Sequence, residues 1–337
     1  MATIKDVASM AGVAVSTASY ALNGSSKVSE ETRKRVVEAA RKLNYRPNGI
    51  ARDLKLNRTN TIGLMLSDLS GPFYSELIKG VQDVTVTHGY DLIAVSSIGG
   101  RGSTAAKFLR EKRVDGVIIL AHNIENSIIL SAARKDMPVV VLDRSLIADH
   151  VINILVDNEG GAYKAVSYLL SLGYHKIFYI AGPKASADNM KRFYGYKKAL
   201  EENGIEFLPN WLYQGDFTRT GGYYAAKSMI MQSNIPDAIF SANDEMAIGV
   251  IDAFKEAGIK VGEDVGLVGF DDIQLAEYVS PPLTTVRQPM REMGTLAAQQ
   301  IFHSINGVFP KECIFLDTQL IIRESCGWRS RSHSETK

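Results

Sequence analysis

TIKDVASMAGVAVSTASYALNG, residues 3–24, sets two short helical patterns on either side of a glycine. Thr3 followed by Asp6 is a capping-box-like start for a helix through Ile4, Val7, Ala8 and Ala11, and Gly12 ends it. A second short helix is expected from about Val15 to Leu22, closing at Asn23-Gly24. Two short helices joined by a tight glycine-containing turn are the helix-turn-helix pattern, whose second helix lies in the major groove of DNA. Further out, a third helix begins after Ser29, carries Glu30 and Glu31 in its favourable first turn, and turns Val36, Val37, Ala40 and Leu43 inward. It stops at Tyr45-Arg46-Pro47-Asn48, where the proline starts rather than continues a helix.

The charge is distributed unevenly. Residues 1–60 hold eleven Lys and Arg against five Asp and Glu, a net of +6, which leaves the rest of the 337-residue chain at −5. A small basic head on a mildly acidic body suggests nucleic acid as the head's partner. No apolar run reaches the roughly 18 residues that a membrane helix needs. Lys5 and Asp6 interrupt any secretory leader, so export is not expected and a cytoplasmic location is. Cys313 and Cys326 form no CxxC pair and lack a nearby histidine cluster, so neither a metal site nor a disulfide framework is expected.

From Thr61 onward, short apolar runs (TIGLMLSD, YDLIAVSS, DGVIIL, PVVVLD, KIFYIAG, DAIFSAN, VGLVGFDD) alternate with amphipathic helices. Such runs mean parallel sheets covered on both faces, and seven or more units in this length mean two doubly wound α/β lobes. Ligands of open parallel sheets sit beyond the carboxyl ends of the strands. The residues there are Asp68 and Ser70, Asp143-Arg144, Asp216-Phe217, Asn243-Asp244 and Asp271-Asp272, with Phe73 and Tyr74 close by. Carboxylates, amides, guanidinium groups and aromatic faces suit a polyhydroxylated small molecule. Gly100-Arg101-Gly102-Ser103-Thr104-Ala105 fits a dinucleotide fingerprint, but the acid that should end the next strand is missing, since Asp115 opens it. No Walker A, GxSxG or HExxH motif is present, so neither catalytic residues nor a cofactor are expected.

These motifs together resemble the lactose/galactose repressor (LacI/GalR) family. The likeness runs through residues 3–24, VSEETRKRVVEAARKLNYRPN, ARDLKL, TNTIGLMLSDLSGPFYSELIKGV, RVDGVIIL, GYKKALEENGI, ANDEMAIGVIDAFKEAGIKVGEDVGLVGFDD and SPPLTTVRQP, nearly the whole chain. It implies a helix-turn-helix headpiece over 1–47 and a hinge helix and linker over 48–60. The periplasmic-binding-protein-like body over 61–337 would have one lobe at about 61–157 plus 289–317 and the other at about 158–288 plus 318–330. Base contacts would come from Val15, Ser16 and Tyr20, and backbone contacts from Thr3, Thr17, Ser19 and Asn23. Asn48, Ala51 and the minor-groove leucine Leu54 would contribute from the hinge. Effector contacts would fall at Ser70, Phe73, Asp143, Arg144, Arg192, Phe217, Asn243, Asp271 and Gln288, with Arg144 and Arg192 both aimed into the cleft.

Two departures from the family pattern matter: Ala14 removes a side-chain cap from the recognition helix, and Tyr20 stands where many relatives have Arg. The resemblance implies a repressor that binds a palindromic operator as a homodimer, under the control of a sugar, sugar acid or sugar phosphate. The competing reading is a soluble sugar-binding protein of transport or signalling, against which the basic head argues. The tail GWRSRSHSETK (327–337) carries no leucine heptad, so a dimer rather than a tetramer is expected.

Overall fold

In the computed structural model, which describes residues 2–45, 58–309 and 313–327, residues 1–59 and 60–337 form separate units. The head holds α1 (Ile4–Ala11), α2 (Val15–Leu22) and α3 (Glu30–Lys42). Gly12 ends α1 at φ 65°, a left-handed conformation that glycine adopts without a Cβ clash. The Ser29 hydroxyl caps α3 by accepting from Thr32 N at 3.4 Å, whereas Ala14 gives α2 no side-chain cap. The small core is largely alanine: Val7, Ala8, Ala11, Ala18, Ala21, Val28, Val36, Ala39 and Ala40. Val37, expected inward, is instead 50% exposed. The buried stripe of α3 runs through positions 36, 39, 40 and 43, and residue 37 falls about 100° round the helix from its start.

In the body, β1 (Thr61–Leu66), β2 (Asp91–Ser96), β3 (Gly116–Leu120), β4 (Val139–Val141), β5 (Val151–Val156) and β11 (Ile314–Leu316) make one parallel sheet of order β11-β5-β4-β3-β1-β2. Side chains alternate across it. Ile62, Leu64, Ile118 and Val140 pack on one face against α4 (Ser75–Thr87) and α11 (Met290–Ile305). Met65, Val117, Ile119 and Val141 pack on the other face against α5 (Thr104–Glu111) and α6 (Asn126–Ala132). Helices α4 and α11 touch backbone to backbone: a Cβ added to Gly80 would lie 2.2 Å from the Arg291 carbonyl oxygen, and one on Gly294 would lie 2.3 Å from that of Leu77.

The second lobe has β6 (Ile177–Ala181), β7 (Leu212–Gln214), β8 (Ala238–Ser241) and β9 (Gly266–Val268), parallel in the order β7-β6-β8-β9. Helices α7 (Asn158–Ser171), α8 (Ala187–Glu202), α9 (Arg219–Met231) and α10 (Asp244–Glu256) accompany it. Its core stacks Tyr179 on Tyr196 with ring centroids 5.3 Å apart. Both buried hydroxyls are satisfied, Tyr179 donating to Asn189 Oδ1 at 2.9 Å and Tyr196 to the Ile177 carbonyl at 2.8 Å.

The chain passes between the lobes three times: after β5, after β10 (Thr285–Arg287), and between β11 and β12 (Gln319–Ile321). The crossings are tied together. β10 pairs antiparallel with β12, Asp157 N donates to the Leu316 carbonyl at 2.9 Å, and Thr318 Oγ1 donates to the Asp157 carbonyl at 3.2 Å.

Candidate functional site

On the head, Ala18 and Ala21 turn inward and leave the other face of α2 open. Val15 is 43% exposed, Tyr20 is 40% exposed and Ser16 is exposed, while Thr17 and Ser19 are half-buried. Thr3 is exposed and donates its hydroxyl to Asp6 at 2.8 Å; Asn23 donates its amide to the Ser19 carbonyl at 2.8 Å. One neighbour escaped the sequence reading: Lys27 Nζ lies 5.6 Å from the centre of the Tyr20 ring, which adds a cation beside the open face. Arg33 donates to the Ser25 carbonyl at 2.9 Å and fixes the turn between α2 and α3. Asn48, Ala51 and Leu54 lie outside the described residues.

A tyrosine hydroxyl makes one hydrogen bond where arginine offers a two-donor fork to guanine O6 and N7. Tyr20→Arg is therefore expected to move base preference toward guanine at one position of each half-site, by about 1–3 kcal/mol. The positions facing Val15 and Ser16 should be unchanged. Binding selection on randomised palindromes with both proteins checks this, and identical preferences throughout would place Tyr20 away from the bases.

In the body, a cavity of about 360 Å³ opens between the lobes at the carboxyl ends of both sheets. Ser70, Phe73, Asp143, Arg192, Phe217, Asn243, Asp271 and Gln288 all line it. Arg144 is the correction. Its guanidinium turns back to donate to the carbonyls of Ala121 (2.8 Å), His122 (3.3 Å) and Ile124 (3.0 Å), so it pins the turn after β3 instead of entering the cavity. The turn after β3 presents these three carbonyls together, and a planar guanidinium can serve all of them at once.

Arg192 is 4% exposed and sits at the centre of a network. Nε donates to Asn158 Oδ1 at 2.8 Å, Nη1 donates to the Ala242 carbonyl at 2.5 Å, and the Asp271 carboxylate lies 3.5 Å away. The guanidinium also stacks 3.8 Å from the centre of the Phe270 ring. Gln288 donates to Asp271 Oδ1 at 2.7 Å, which couples the second interlobe crossing to this network. Burial pushes the Asp271 carboxyl up to about 7, although Arg192 pulls it down. Behind it, burial and the charge of Asp271 raise Asp244, which accepts from Thr285 Oγ1 at 2.5 Å and from Ile273 N at 3.0 Å.

Two of the lining residues have a strained backbone. Phe217 has φ 70° and Asp271 has φ 123°, conformations costly for residues with a Cβ. Asn243, which caps α10, also donates to the Phe217 carbonyl at 2.9 Å and helps hold the strained turn. The Phe217 ring lies on Gly182, where an added Cβ would be 2.1 Å from it.

Sequence reading missed Asn158, Asp188 and His122. The first two sit in the opening turns of α7 and α8, where an amide or an acid reads as an ordinary helix-start residue. His122 Nδ1 is 3.0 Å from Ser67 Oγ, and burial lowers its pKa, which favours the neutral ring. None of residues 100–105, the dinucleotide-like stretch, lines the cavity. Among the described residues no cluster of three His, Cys, Asp or Glu could hold a metal ion, and no helix is long and apolar enough to cross a membrane.

Residues 3–48 match the model of bacterial regulatory proteins of the lacI family, and residues 166–326 match that of a periplasmic binding protein-like domain. The HTH-type transcriptional repressor PurR of Photobacterium profundum is 36% identical over 329 residues, 96% of this chain and 98% of that protein. Among solved structures, a Lac repressor dimer bound to operator and the anti-inducer ONPF has a TM-score of 0.78 at 29% identity, over 96% of this chain and 99% of that one. The transcriptional regulator CelR in complex with cellobiose has a TM-score of 0.72 at 31% identity, over 96% of this chain and all of that one.

Proposed function

This chain belongs to the lacI family of bacterial regulatory proteins and is a DNA-binding transcriptional regulator; on that premise we propose that it is a repressor whose operator affinity is set by a small polar effector in the interlobe cavity. The observation that carries the reading is the cavity itself, placed where three chain crossings meet and lined from both lobes by Asp143, Arg192, Phe217 and Asp271. A ligand touching both lobes stabilises one lobe arrangement over another. It changes DNA affinity only to the extent that those arrangements differ in their affinity for it. A gel-shift titration of the operator, with and without effectors found by thermal-shift screening, tests this. Ligands that bind the body without moving operator affinity would favour the transport or signalling reading.

A homodimer follows from the same premise, because a two-fold protein reads a palindrome. The edge strand β2 supports it. At this sheet edge Asp91, Ile93 and Ala94 are exposed, and Ile98 just beyond is 65% exposed, an open edge that a second copy would cover. A second copy covering this edge is the expected arrangement. Light scattering at micromolar concentration should give a dimer, and a tetramer or a monomer would contradict it. The tail that lacks a leucine heptad, residues 328–337 of it, lies outside the described residues.

A further inference from the structure

Six acids line the cavity, Asp68, Asp143, Asp188, Asp216, Glu245 and Asp271, and Arg192 is the sole Lys or Arg among its described lining residues. Most of these charges are already engaged. Ser70 N donates to Asp68 at 2.9 Å, Thr218 donates its N–H and its hydroxyl to Asp216 at 2.9 and 2.6 Å, and Arg192 with Gln288 serves Asp271. Glu245, half-buried on α10, lies in the field of Arg219.

Asp143 and Asp188 differ from these. Asp143 Oδ1 is buried without a hydrogen bond, and its nearest cation, Arg144 Nε at 3.6 Å, belongs to a guanidinium committed to three carbonyls. Asp188 accepts one hydrogen bond, from Asn158 Nδ2 at 2.9 Å, and no other is found among the described residues. It is not the cap of its helix, since Ser186 takes that role by accepting from Asn189 N at 3.2 Å. Asp143 follows β4 of the first lobe, and Asp188 lies in the first turn of α8 in the second. The two line the same cavity from opposite lobes. Burial raises Asp188 to about 6 against the pull of Arg192, and the charge of Asp143 adds to the rise while Lys191 and Arg144 oppose it.

An anionic ligand would add charge to this surplus, where the lining Arg192 is already paired and Lys191, whose charge acts on both Asp143 and Asp188, is not among the lining residues. A neutral polyol would hydrogen-bond the carboxylates and leave their repulsion across the cleft in place. Resting on the reading of the cavity as an effector site, we propose that the effector carries a basic nitrogen, an amine or amidine, held between Asp143 of one lobe and Asp188 of the other. Its cation removes the repulsion that opposes approach of the lobes, while its apolar or ring portion lies against Phe73, Tyr74 and Phe217.

Two measurements on the full-length protein test this. In the ligand-free protein, Asp188→Asn keeps the acceptor for Asn158 and removes the charge, so at pH 8 its Tm should rise; a fall would show that Asp188 serves the fold and would overturn the proposal. Thermal shift and calorimetry then compare glucosamine with glucose, galactosamine with galactose, and benzamidine with the uncharged benzamide, beside gluconate, glucose 6-phosphate and magnesium or calcium chloride alone. Binding is expected from at least one amine or amidine and not from its neutral counterpart, with affinity at least tenfold lower in Asp188→Asn. Binding confined to neutral, anionic or metal-ion members, binding undiminished in the variant, or no binding by any basic member would overturn it. A basic ligand that binds through Asp188 yet leaves operator affinity unchanged would instead overturn the effector reading and leave this assignment standing.

Discussion

Arg192→Ala is expected to lose all response of operator binding to effector and to destabilise the second lobe by about 3–5 kcal/mol, the usual cost of stranding one partner of a buried ion pair. Sequence position alone suggests a loss of effector response with operator affinity nearly intact. The network around Arg192 predicts both effects, because Asn158 Oδ1 and the Ala242 carbonyl also lose their donor. The stability deficit should depend on pH in a direction that can be worked out. The Asp271 carboxyl is raised to about 7 by burial against the pull of Arg192, so removing the arginine raises it further. Below about pH 6 the acid is protonated in both folded proteins, and the lost charge interaction matters little. As pH rises through 7, the wild-type acid ionises beside its cation while the variant must keep a buried proton or carry an unpaired charge, so the gap widens. Denaturant unfolding at pH 5.5 and pH 8 checks this. An equal deficit at both values would show that packing on Phe270, not charge, is what the arginine supplies.

Leu54→Ala is expected to weaken operator binding by a few kcal/mol, on the order of a hundredfold, while affinity for random DNA stays within about twofold. We propose this residue as a wedge between base steps. By sequence, a segment as short as 48–56 with Gly49 inside it would be a poor helix alone, so folding coupled to DNA is part of the proposal, and unstacking and bending would be lost with the side chain. Non-specific affinity rests on phosphate charge, which Leu54 does not supply. Isotherms on a selected operator and on random duplex separate the two, and equal losses would make Leu54 a packing residue.

Much of this was readable in the sequence because the elements that carry it are long or punctuated. The helices of the head announce themselves by Gly12, Ser29 and a buried alanine stripe, and the long apolar strands β1, β3 and β6 by unbroken runs. Strands β7, β10, β11 and β12 have three residues each, too few to show a period, and tertiary pairing alone defines them. The lining residues Ser70, Asp143, Phe217, Asn243 and Asp271 were found because strand ends are countable, whereas Arg192 on α8 and Gln288 were reached only through the family resemblance. What a strand-end residue faces is not countable: Asp143 and Arg144 are neighbours, yet one enters the cavity and the other turns to backbone carbonyls. Asp188 was invisible for the converse reason, since it follows no strand and reaches the cavity from a helix start.

The three crossings between lobes also fix an order of events at the ribosome. Helix α11 and strand β11, residues 290–316, complete the first lobe, but the whole second sheet is synthesised before them. Until then the sheet face bearing Ile62, Leu64, Ile118 and Ile154 lacks the cover of Met293, Ala297 and Ile301, an open apolar surface of the kind that aggregates or recruits chaperones. The head has its own core and needs none of this. Translation interrupted anywhere between Val156 and Met290 would therefore release chains with a finished helix-turn-helix and an insoluble body, and an early stop codon would remove control and solubility together rather than leave an unregulated repressor.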